Sequence, residues 1–208
     1  QAAPARRALT PDDLPRASPH RPKRREPPVI IKNRFSRLID DARLAALVTF
    51  AADGIALGDD VLVELSTSTG LDGDAAGLFR TPPYGWDTKV HPGARYYLRA
   101  AFRSEREIAD GSHYPCTASR VPNGAGFNHL DYLDCYAPLP PVQVASLEEE
   151  LVYIFGHECF HLDQHRRDEA ADWRLYELPD GGTDHDRIER EAEEAGQARL
   201  AAFRRSGC

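Results

Sequence analysis

The apolar positions fall into a few separated blocks. The longest lies in LEEELVYIFGHECFHLDQHRRDEAADWRLYEL (147–178), which runs without proline. Leu151, Val152, Ile154, Phe155, Phe160 and Leu162 place apolar side chains nearly all round a helix, the pattern of a buried one. Ser146 with Glu149 three residues on is a capping box, so the pattern predicts a helix from Leu147 past His165. PDGGTDH (179–185) predicts a stop, and DRIEREAEEAGQARLAAFRR a final helix.

Upstream the blocks are shorter. RLIDDARLAALVTFAA predicts a helix capped by Ser36 and ended by Asp53 and Gly54. DVLVEL (60–65), ARYYLRAAF (94–102) and the alternating GFNHLDYLDCY (126–136) predict strands. STSTGLDGDAAG (66–77), small, polar and glycine-bearing, predicts a loop, and APLPP (137–141) a break. Helix, strands, helix, loop, helix is an α+β order. Residues 1–28, rich in Pro and Arg with little apolar periodicity, predict a flexible basic tail, and 29–208 a single domain.

Charge sharpens that division. Residues 1–26 sum to +4, which leaves −11 on the remainder of a chain whose net charge is −7. An acidic body disfavours nucleic acid as its partner, while the tail retains the charge for a weak contact of that kind. No apolar run reaches membrane-span length, so no membrane association is expected. Four cysteines (Cys116, Cys135, Cys159, Cys208) without a CxxC pair do not make a disulfide scaffold, though one Cys116–Cys135 bond stays open. Cysteine usage favours the cytoplasm. The chain begins with Gln and contains no Met, which implies a trimmed N-terminus and leaves secretion open.

The candidate chemistry lies in the buried helix, at GHECFHLDQH (156–165). Positions i and i+4 are neighbours on a helix, about 40° and 6 Å apart, so His157 and His161 can each direct a ring nitrogen to one Zn²⁺. Glu158, about 100° round from His157, suits a general base better than a ligand. Cys159 faces away, and His165, about 12 Å along the axis from His157, is out of reach and is expected at a cleft edge or capping a neighbour. HExxH supplies two ligands, and the final helix is the natural source of a third. With Ile188 at 0°, Ala192, Ala195, Ala198, Ala202 and Phe203 lie between about −80° and +60°. Glu191, at about −60°, is the one acidic residue inside that arc; Glu189, Glu193 and Glu194 fall at about 100°, 140° and 240°. Glu191 is therefore the expected third ligand, ahead of Asp184 and Asp186. Ala192, Ala195 and Gly196 are expected to let the two helices approach closely.

HExxH on one helix with a Glu on the next resembles the gluzincin metallopeptidases, the class that includes thermolysin. EREAEEA (189–195) is similar to the Glu-bearing helix of the compact ImmA/IrrE-type members. The resemblance covers roughly residues 126–204. It implies a zincin-like fold: a small mixed sheet packed on the HExxH helix, followed by the Glu-bearing helix. The strand over 126–136 would be the sheet edge along the substrate cleft. It also implies a zinc peptidase that holds Zn²⁺ with His157, His161 and Glu191, uses Glu158 as general base, and takes a peptide or protein substrate. One departure stands out: the Asp that thermolysin-like enzymes carry four residues after the ligand Glu is Ala195 here. The competing expectation is an inactive zincin-fold module that acts through protein–protein contacts, with the basic tail on an acidic partner.

Overall fold

A computed structural model of the chain describes residues 29–67, 75–80, 93–102, 104–117, 142–167 and 182–207. The elements, in order, are β1 (Ile30–Asn33), α1 (Asp41–Ala52), β2 (Val61–Thr67), β3 (Ala75–Arg80), β4 (Tyr96–Phe102), α2 (Glu105–Ala109), β5 (Cys116–Thr117), β6 (Gln143–Val144), α3 (Leu147–Arg167) and α4 (Gly182–Ser206). The fold is α+β, as the order of patterns predicts. The basic tail, the segment 126–136 and Cys135 lie outside the described residues. No helix among the described residues is long and apolar enough to cross a membrane.

The main sheet has the order β1-β2-β4-β3. β1, β2 and β4 are parallel, and β3 runs antiparallel to β4 at the edge, with Gly77 opposite Ala100. Alternation along the strands gives the sheet two unlike faces. Val61, Val63 and Leu65 of β2 and Tyr96, Leu98, Ala100 and Phe102 of β4 join the hydrophobic core. On the opposite face Glu64 is buried but satisfied: Tyr97 Oη donates to it at 2.6 Å, Lys32 Nζ at 3.2 Å, and Arg34 Nε lies 3.3 Å away. Burial alone would raise the Glu64 pKa, and these three neighbours outweigh it and hold the carboxyl below its ordinary value.

α3 packs against α4, α1, β3 and β4. Every residue from Glu150 to Cys159 is buried, as expected of a helix that is apolar nearly all round. Fully buried Leu151, Phe155 and Leu162 each contribute about 1.5–3 kcal/mol relative to exposure. The capping box forms with a shift: Glu149 N donates to Ser146 Oγ at 3.3 Å, while Glu149 Oε2 accepts from Ala145 N at 2.9 Å. Arg43 adds a two-pronged pair with Glu148, and Arg204 with Glu149, tying α1 and α4 to the first turn of α3.

Several expectations need correction. α1 is capped by Asp40, which accepts from Arg43 N at 2.7 Å, and not by Ser36, which lies in a turn ahead of it. Its end is as read: Asp53 is left-handed (φ 48°) and Gly54 follows at φ 87°. Residues 75–77, read as loop, open β3; pairing with β4 overrides their weak strand tendency. α4 begins at Gly182, so part of the expected 179–185 stop is helix.

Candidate metal-binding and catalytic site

The site forms where α3 passes between the edge strand β3 and helix α4. Gly156 and Gly196 let the two helices meet almost backbone to backbone. A Cβ on Gly156 would lie 3.1 Å from Gly196 Cα, and one on Gly196 would lie 2.9 Å from the Tyr153 carbonyl oxygen. Ala192 is buried in the same contact, so the close approach expected from the small residues is present. One residue beyond Gly156 is His157.

His157 and His161 face each other, rings T-shaped at 4.7 Å, with their Nε2 atoms 3.0 Å apart. Glu189 of α4 spans both: Oε2 is 3.4 Å from His157 Nε2 and Oε1 is 3.4 Å from His161 Nε2. Donors bound tetrahedrally at 2.0–2.1 Å are separated by about 3.3–3.4 Å. The set therefore has nearly the spacing a single Zn²⁺ requires, and two imidazoles with one carboxylate are chemically suited to that ion. Burial opposes ionisation of Glu189, yet the two imidazoles outweigh it and hold its carboxyl well below the usual carboxylate range. The carboxyl end is crowded by protein while the side chain as a whole stays 46% exposed, so the assembly is reachable from solvent on the α4 side.

The outer nitrogens are addressed separately. His161 Nδ1 lies 2.9 Å from Gln164 Oε1, where the ring N–H can donate to the amide oxygen while Nε2 faces the site. Gln164 is held in turn by its Nε2, which donates to the Ile188 carbonyl and to Glu191 Oε2, both at 3.2 Å. His157 Nδ1 faces Glu193 Oε2 at 3.6 Å, an electrostatic contact slightly beyond hydrogen-bond length. Glu193 is anchored by Tyr153 Oη at 2.6 Å and by Gln197 Nε2 at 3.1 Å. Burial works against the Glu193 charge, and His157, Tyr153 and Gln197 lower its pKa overall.

Glu158 is 2% exposed, and a carboxylate oxygen of it lies within 4.8 Å of donor nitrogens on both histidines. It abuts β3 at Gly77, where any Cβ would come within 2.8 Å of Glu158 Cδ and of Ile154 Cγ2. Only glycine leaves room there for the carboxylate. Cys159 is fully buried in the core, and burial pushes its thiol pKa far up, as suits an inert packing residue. His165 is not at a cleft edge: it is buried, edge-on to the Tyr96 ring at 5.8 Å.

The structure brings together His157, Glu158 and His161, and it does not bring Glu191 to them. Glu191 supports Gln164, and Glu189 stands against the two histidines. The reason lies in the face of α4. Its buried positions Ala192, Glu193, Gly196, Leu200 and Phe203 span about 40° to 140° on the wheel that starts at Ile188, with Glu189 at about 100°. Alanines dominate the apolar pattern of this helix, but a methyl is worth roughly a third of a buried Leu or Phe, so Leu200 and Phe203 set the phase. Ala198 is exposed, and Arg199, awkward on the alanine face, pairs with Asp53 at the end of α1. The side chains of Asp184 and Asp186 lie outside the described residues. Sequence reasoning also missed Gln164, Tyr153, Glu193 and Gly77. The ExxxE spacing of Glu189 and Glu193 was the available signal for one of these.

No protein-family model, no curated protein and no solved structure matches this chain.

Proposed function

We propose that the protein is a zinc-dependent peptidase with a zincin-like arrangement, in which His157, His161 and Glu189 hold the metal. The observation that carries this is the convergence of two Nε2 atoms and both Glu189 oxygens at 3.0–3.4 Å, with the Glu158 carboxylate beside them. With Glu189 in place of Glu191, the gluzincin resemblance improves. The residue four positions on is Glu193, a carboxylate facing the first histidine, and no longer Ala195.

His157, His161 and Glu189 would hold a Zn²⁺ there, and the ion would supply Lewis-acid chemistry, polarising a carbonyl and lowering the pKa of water toward neutrality. Glu158 accepts the proton of the attacking water and passes it to the leaving amine. Glu193 and Gln164 fix the ring orientations, and the charge of Glu193 favours electron density on His157. β3, at the edge of the described sheet and against Glu158 through Gly77, is the element along which an extended peptide would lie, in the manner of strand addition.

Glu158→Gln tests the proposal. It should leave metal content unchanged and lower hydrolysis of a peptide library by on the order of 10²–10⁴-fold. Cleavage at the unaltered rate would remove Glu158 from the chemistry. Metal binding without any hydrolysis by the wild-type chain would favour the inactive binding module.

A further inference from the structure

A second group of metal-ligating side chains lies outside this site. His113 lies between α2 and β5, Cys116 three residues on opens β5, and Glu150 is in the first turn of α3. Cys116 Sγ is 3.6 Å from His113 Nε2, and Glu150 Oε2 is 3.1 Å from the same nitrogen. The three donor atoms lie within 4.8 Å of one another. The His113 and Glu150 side chains are 5% and 3% exposed.

We propose that His113, Cys116 and Glu150 bind a second, zinc-class divalent cation. The first argument is which nitrogen is shared. A catalytic Cys–His–carboxylate relay uses opposite nitrogens of the ring, one for the thiol and one for the carboxylate. Here both partners address Nε2. One N–H or one lone pair directed between a thiol and a carboxylate serves neither well, whereas a cation among the three atoms serves all of them. The second argument is distance. Tetrahedral bonds of about 2.3 Å to sulfur and 2.0–2.1 Å to nitrogen and oxygen set N···S about 3.6 Å and N···O about 3.4 Å apart. The observed 3.6 and 3.1 Å are close to both. The third is charge. A thiolate, a carboxylate and a neutral imidazole bring −2, which the cation cancels in a nearly closed site.

The surroundings hold these donors in place. His113 N donates to the Glu107 carbonyl and Tyr114 N to the Gly111 carbonyl, which fixes the turn. The His113 ring stands edge-on to Phe102 and Tyr114. Tyr114 Oη donates to Glu150 Oε2 at 2.7 Å, the outer hydrogen bond that a ligating carboxylate typically accepts. Glu150 and His157 are seven residues apart, about 10 Å along α3, so the two sites cannot share an ion. On binding, the Cys116 thiol releases its proton to solvent.

Cobalt(II) titration of the full-length, metal-stripped, reduced chain tests the proposal. Only a site with a cysteine ligand gives a thiolate-to-cobalt charge-transfer band in the near ultraviolet. The band is expected in the wild type and in a His157→Ala/His161→Ala double variant, and it should be lost in Cys116→Ser. Glu150→Gln, which keeps the size and hydrogen-bonding capacity of the side chain, should weaken the affinity read from that band by more than about tenfold. Absence of the band in the wild type overturns the proposal whatever the variants do. Its survival in Cys116→Ser, or a Cys116–Cys135 disulfide found by mass spectrometry of the native chain, does the same.

Discussion

The two polar clusters carried by α3 lie about two turns apart on one stripe of the helix, and they use imidazole differently. In the lower cluster each histidine divides its labour: Nε2 faces the shared point, while Nδ1 faces Gln164 or Glu193. In the upper cluster His113 turns a single nitrogen to both Cys116 and Glu150. Access differs as well. Glu189 is 46% exposed at the lower cluster, whereas in the upper one the His113 and Glu150 side chains are nearly buried and Cys116 is half-buried. The two proposed donor sets on one buried helix thus differ in the partners that stand beyond the donors.

The largest expected effect that tests this contrast is on Glu189. Glu189→Ala should lower metal affinity at the lower cluster by more than the about 10–100-fold that losing an outer partner costs, and abolish hydrolysis. Glu191→Ala should cost far less, and equilibrium dialysis of the two variants side by side decides between the carboxylates. A reversed order would return the ligand role to Glu191. Next is Gly77→Ala. The added methyl must displace the Glu158 carboxylate, so activity should drop by about 10²-fold with metal content intact, as measured by elemental analysis alongside kinetics. Full activity would separate β3 from the reaction. Glu193→Gln should weaken metal binding by about 10–100-fold without touching the upper cluster.

The smallest effect concerns the ion pairs that fasten the first turn of α3, from which Glu150 projects. The Arg204 hydrogen bond lowers the Glu149 pKa, and the Arg43 hydrogen bond lowers that of Glu148. Folded values below the ordinary value of 4.5 mean that the stabilisation is complete above it and is lost as pH falls through the lower folded values. These are partly exposed pairs, so Arg204→Gln should cost up to about 1 kcal/mol in urea unfolding near neutral pH. The cost should fade in acid below that range; a cost that persists there would mean that Arg204 acts through its pH-independent contacts, the Gln143 carbonyl among them.

Much of the frame is legible in the sequence because it rests on apolar runs. α3 announces itself through Leu151 to Leu162, and β2 and β4 through VLVEL and YYLRAAF. The pairing of His157 with His161, and the burial of Cys159, follow from helical geometry alone. Glu189 was not legible because the phase of α4 is set by Leu200 and Phe203 against an alanine-rich background that points elsewhere. β3 was hidden by its small residues. It exists because β4 pairs with it, and its glycine answers to Glu158, a residue about eighty positions away. The upper cluster gave only a scattered Cys and His until the fold brought Glu150 to them.

The contact of Gly156 with Gly196 has a mechanical consequence. Where helices meet through long side chains, their spacing can drift as rotamers change or as a core residue is replaced. Here main chain rests on main chain, so the gap between α3 and α4 works as a rigid gauge, set by van der Waals contact between atoms that have no rotamers. His157 stands beside that gauge on one helix and Glu193 one turn from it on the other. Residues lining the approach to the site can therefore be exchanged without re-spacing the donors, which makes that approach the natural place to alter what the protein accepts.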